Sequence, residues 1–122
     1  MQHQAALAYQ NVAKKTVSPR DSEANLLSRS ATNMQLVRDG WEIDSSGFDD
    51  ALDFNRKIWS VFLTSVTKDE NPLPDPVKQN IANLGIFVMK QTLEAKAVPS
   101  PDKLDSLINI NRQLAAGLRN QP

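Results

Sequence analysis

The sequence predicts an all-α fold, and three observations carry that reading. First, three prolines each follow a residue able to cap a helix, in Ser18-Pro19, Asp75-Pro76 and Ser100-Pro101. At the first helical position proline lacks only an N–H that the helix leaves unused, and its fixed φ suits the helix. The preceding Ser or Asp oxygen then accepts a hydrogen bond from an N–H one turn in. Second, apolar residues recur with a period near 3.6 rather than 2.0. Third, β-branched alternation of the strand kind persists nowhere for more than a few residues.

Taken in order, a short helix is predicted over Ala5 to Thr16, carrying Tyr9, Val12 and Ala13. A helix of this length is marginal alone, so it must dock on something larger. The next runs from Pro19 to about Asp39, with Leu27, Ala31, Met34 and Val37 on one face and Gly40 at its end. Asp21 in its first turn places negative charge at the positive end of the macrodipole, as Asp102 does after Ser100-Pro101. A third helix begins near Phe48, after the turn-rich Asp44-Ser45-Ser46-Gly47. Its stripe reads Phe48, Leu52, Asn55, Ile58, Trp59, Phe62 and Val66, and Lys68-Asp69-Glu70-Asn71 before Pro72 and Pro74 closes it.

From Pro76 to about Ala97 a fourth helix carries Val77, Ile81, Leu84 and Val88 on one face and Ile86, Phe87, Met89 and Leu93 around the other side. Apolar on more than one face, it is predicted to be central. The fifth, from Pro101 to about Arg119, shows Leu104, Leu107, Ile108, Asn111, Leu114, Ala115 and Leu118. Mostly short connections make neighbouring helices antiparallel. The simplest architecture is therefore a compact bundle of four main helices with the short N-terminal helix laid across it.

A chain of 122 residues fits a single domain over 1–122. Fourteen basic and fourteen acidic residues cancel, so general attraction to nucleic-acid phosphates is not on offer. With no cysteine and one histidine, His3, neither disulfides nor thiolate, triad or multi-histidine metal chemistry is expected. The four glycines, at 40, 47, 85 and 117, are scattered and form no phosphate cradle. MQHQAALAYQ lacks a basic stretch followed by an apolar run, and Ile86 to Met89 is far too short to span a bilayer. The expectation is a cytoplasmic protein that is not an enzyme, with no cofactor, membrane, direct nucleic-acid or small-molecule partner. Asp49, Asp50 and Asp53 cluster at a helix start, where carboxylates complement the dipole.

Six residues stand out as candidates for partner binding. Asn55 and Asn111 each interrupt an apolar stripe. Either they bond a neighbouring backbone inside the core and set helix register, or they line a groove and bond a partner. Trp59 has the spacing of a core residue, whereas Trp41, beside Gly40, either covers the end of the bundle or is an exposed anchor. Tyr9 docks the first helix or is uncovered when a partner displaces it. Ser18-Pro19-Arg20 is a candidate recognition motif, with Arg20 and Glu23 expected to form a surface ion pair one turn apart.

Ordered along the chain, these features form a pattern: Ala8-Tyr9, Ser18-Pro19-Arg20 with Glu23, then Ala51-Leu52 with Asn55 and Trp59. Leu73-Pro74, Phe87-Val88, Leu107-Ile108-Asn109-Ile110-Asn111 and Gly117-Leu118 follow. From Ala8 to Leu118 the chain resembles the FlaF family of flagellar biosynthesis regulators. That resemblance implies a cytosolic helper of flagellin production and export, acting on flagellin itself and together with the translational regulator FlbT. It further implies either a flagellin chaperone or an adaptor working mainly through FlbT. An apolar groove at the edge of the bundle, beneath the first helix and near Tyr9 and Trp59, is the expected site for an amphipathic flagellin segment.

Overall fold

The computed structural model describes residues 18–120. Helix α1 covers Pro19–Asp39, α2 Phe48–Val66, α3 Asp75–Ala97 and α4 Asp105–Arg119, with a 3₁₀ turn over Pro101–Leu104 leading into α4. No strand occurs among the described residues. The helix expected over Ala5 to Thr16, and Tyr9 with it, lies outside them.

Ser18 caps α1 as its sequence implies: its backbone is extended and its Oγ accepts from the Asp21 N–H at 3.0 Å. The other two expected caps differ. Asp75 is itself the first residue of α3, and no side chain caps that helix. Proline is tolerated throughout a first turn because those N–H groups have no intrahelical acceptor. Pro74, extended at φ −58 and ψ 147, supplies the approach instead. At Ser100 the hydroxyl donates to Asp102 Oδ1 at 2.6 Å rather than accepting from the backbone. A carboxylate two residues away is the stronger partner.

Helices α1 and α4 run antiparallel. Arg38 at the end of α1 pairs with Asp105 at the start of α4, while Arg119 at the end of α4 reaches Asn25 Oδ1 and Ser28 Oγ at 3.2 and 3.1 Å. Between these ends Leu27, Met34, Leu52, Trp59, Leu107 and Leu118 are buried and form the heart of the core.

Helix α3 is peripheral, which corrects the expectation that it is central. It packs along α2, burying Ile81, Val88 and Ala95, and meets α4 and the 3₁₀ turn only sparingly. Its second apolar face is turned outward, with Ile86 and Leu93 exposed at 70% and 69%. From sequence alone, an apolar face that meets solvent looks the same as one that meets a neighbour. Where α3 does meet α2 the approach is close. A Cβ on Gly85 would lie 2.6 Å from Leu63 Cδ2, so any larger residue there would force the Leu63 side chain to move.

Candidate functional site

Helix α2 presents two chemically opposite faces, one to the core and one to an open groove. The core face carries Asn55 and Trp59, which converge with Asn111 of α4 and Ser30 of α1 in one buried network. Trp59 Nε1 donates to Asn111 Oδ1 at 3.0 Å. Because an indole only donates, this bond fixes the amide: Asn111 Nδ2 must face the other way. There it donates to Asn55 Oδ1 at 2.7 Å and to the Leu27 carbonyl at 3.2 Å. The Ser30 hydroxyl adds a second bond to Asn55 Oδ1 at 2.8 Å. Asn55 Nδ2 is left with no acceptor among the described residues, a cost of roughly 1–3 kcal/mol.

Asn55, Trp59 and Asn111 have no exposed surface. Of the two readings the sequence leaves open for Asn55 and Asn111, the structure shows the core one, and Trp59 is core as its spacing implies. Each asparagine sits in the middle of a stripe that three helices close over. Their bonds join α1, α2 and α4 at one level, as the core alternative requires.

Turned away from this network, the first turns of α1 and the last turns of α2 enclose a groove of about 440 Å³. Leu26 and Leu27 line it from α1, and Ile58, Val61 and Phe62 from α2. Leu26 and Val61 are exposed at 44% and 73%, whereas Leu27 and Phe62 are buried and form the floor. Arg20 forms part of the wall. Its Nε donates to Glu23 Oε1 at 2.6 Å, and the residue is 4% exposed. The ion pair expected at the surface is thus largely buried, because Arg20 lies along the apolar groove with its guanidinium neutralised by the carboxylate one turn on. Trp41 is half-buried at the opposite end of α1, packed edge-on against Phe48 with ring centroids 5.0 Å apart. It covers the bundle end and also lines a second, more polar hollow with Arg38, Ile43 and Pro101.

The structure brings Arg20 to the groove, places Trp41 elsewhere and buries the other three described candidates. A family model described as Flagellar protein FlaF matches residues 5–118. The chain belongs to the FlaF family. No curated protein and no solved structure matches it.

Of two surface features of this FlaF-family chain, the first escapes the sequence reading and the second reads there as apolar but is assigned to the core. One is the groove, signalled by adjacent apolar pairs: Leu26-Leu27, Ile58-Trp59 and Val61-Phe62 each supply one core residue and one neighbour rotated about 100° away from it. The other is the outer stripe of α3, where Ala82, Ile86, Met89 and Leu93 repeat at the spacing of a helix–helix seam. The acidic cluster is accounted for locally. Asp49 and Asp50 lie exposed in the first turn of α2, and Asp53 pairs with Lys96 of α3. Lys96 holds the Asp53 carboxyl below its ordinary range, chiefly through that hydrogen bond. Among the described residues no cluster of His, Cys, Asp and Glu is arranged to hold a metal ion, and no helix is long and apolar enough to cross a membrane.

Proposed function

We propose that this chain is a flagellar biosynthesis protein that binds flagellin in the cytoplasm, as an export chaperone and regulator of flagellin synthesis. Membership of the FlaF family supports the flagellar setting. The observation that carries the binding mode is the α1–α2 groove, which exposes Leu26 and Val61 above a buried floor of Leu27 and Phe62. An amphipathic flagellin segment kept apart from other copies has an apolar stripe to cover. A groove between two antiparallel helices accepts such a stripe as an added helix, at the cost of ordering it.

The outer stripe of α3 favours a second reading, in which the chain is also an adaptor for FlbT. Ile86 and Leu93 lie on a helix that packs against the other flank of α2, so two partners can be held without sharing a surface. Calorimetry of monomeric flagellin with the wild-type chain and with Val61→Asp tests the first reading, and repetition with FlbT at saturation tests the second. Binding that Val61→Asp weakens at least tenfold and FlbT leaves intact is the expected result. Absence of flagellin binding, with tight FlbT binding, replaces the chaperone by the adaptor.

A further inference from the structure

The outer face of α3 is apolar along its C-terminal half and just beyond it. Ile86 and Leu93 lie exposed there, Phe87 flanks them, and Val98, at the C-cap, is exposed as well. Beside this stripe runs a short row of charge. Lys90 and Glu94, one turn apart, are both exposed, and neither joins an ion pair among the described residues. Lys ahead of Glu is the weaker order for pairing within one helix, which leaves both charges free for another molecule.

We propose that two copies of this chain pair through α3 as an antiparallel dimer, its two-fold axis beside Leu93 and Lys90 of each copy meeting the partner subunit's Glu94. A two-fold interface is self-complementary, so each group must find its complement on the same surface. This surface meets that condition in one register. An antiparallel pair whose axis is level with Thr92 keeps both charged rows on one side of the seam and sets Lys90 level with the partner's Glu94, twice. In the same register Ile86 lies level with the partner's Val98, and the two Leu93 side chains meet at the axis. In a parallel pair the charged rows fall on opposite sides of the seam. Antiparallel helix dipoles favour the first arrangement too.

Area sets the strength. Covering Ile86, Phe87, Leu93 and Val98 on both copies removes on the order of 1,000 Å² from water, the lower limit of a specific interface, so the dimer is weak and depends on concentration. Exposed ion pairs add little affinity and act mainly on register. On the adaptor reading proposed above, FlbT bound at this stripe takes the place of the second copy.

Sedimentation equilibrium of the full chain tests the pairing. A monomer–dimer equilibrium in the micromolar range is expected, and a chain still monomeric at about 1 mM overturns the proposal. Leu93→Asp, checked for unchanged helicity, is expected to weaken the dimer about tenfold or more, whereas Val61→Asp in the groove between α1 and α2 leaves it unchanged. The reverse pattern overturns the proposal, because the second copy then sits in that groove. Charge tests the register. Lys90→Glu and Glu94→Lys should each weaken the dimer by about threefold to tenfold, since each sets like charges level with one another twice. The double variant exchanges the two charges and should restore the strength of the wild type. A double variant no stronger than the singles overturns the proposal. The dimer is read without flagellin or FlbT, so its failure and that of the function proposed above are separate results.

Discussion

The inward and outward faces of α2 reverse the usual distribution of polarity. Inward, Asn55 and the Trp59 indole N–H lie among fully buried leucines and are bonded to Ser30 and Asn111. Outward, Val61 and the half-buried Ile58 meet solvent across a groove. The polar core sets register, because its bonds hold only when α1, α2 and α4 stand at one level. Ile58 still packs partly against the core, but Val61 at 73% exposure contributes little to the isolated monomer, which points to burial by something else. Substitutions on the two faces should therefore separate folding from binding.

The largest effect is expected at Trp59. Trp59→Ala empties the centre of the core and orphans Asn111 Oδ1, costing about 3–5 kcal/mol in urea denaturation. Asn111→Ala is expected next, at about 3 kcal/mol, since it strips partners from the Trp59 indole, Asn55 Oδ1 and the Leu27 carbonyl together. An Asn111→Leu variant as stable as wild type would show that the network supplies register and not stability. On the outward face, Leu26→Asp and Val61→Asp should each change stability by no more than about 0.5 kcal/mol. A large loss of stability at either site would erase the distinction between the faces.

What was legible divides along the same line. Helix positions and inward stripes were readable because both follow from local chemistry: Ser18-Pro19 starts α1, and Phe48 through Val66 marks α2 by spacing alone. That Asn55 and Asn111 interrupt those stripes was equally plain. Their bonding to each other was not, because they lie 56 residues apart and only the tertiary fold pairs them. Helix α3 misled for a related reason. Ile86 and Leu93 show that a face is apolar but not what covers it, so an exposed face reads in the sequence as core. Arg20 failed in the opposite direction, since its pairing with Glu23 was local and readable while its burial depended on α2.

A smaller test uses two glycines. Gly85→Ala places a methyl against Leu63 where α3 packs on α2, whereas nothing lies within 4 Å of a Cβ on Gly117 in α4. Alanine favours a helix over glycine by up to about 1 kcal/mol, so Gly117→Ala should stabilise by roughly that amount. Gly85→Ala should instead lose about 1 kcal/mol as overpacking outweighs the gain. Equal behaviour at both sites would mean that α3 shifts freely on α2.

The smallest effect concerns acid, and it asks how firmly α3 is held. Lys96 keeps the Asp53 carboxyl below its ordinary value of 3.8, so the folded state binds this proton less readily than the unfolded one. Stability from the pair is therefore fully present above that ordinary value and is lost as pH falls through the lower folded value. Both side chains are more than a third or nearly a third exposed, at 41% and 33%, so the contribution is small and weakened by salt. Asp53→Asn should flatten the fall in Tm below about pH 4 while leaving its neutral value almost unchanged. Hydrogen exchange gives the sharper view. Because α3 meets α4 only sparingly, acid should loosen the amides of Val88 and Ala95 before that of Leu107. Loosening of all three together would show that α3 unfolds only with the core, and that its outer stripe is carried on a helix as firmly set as the polar network.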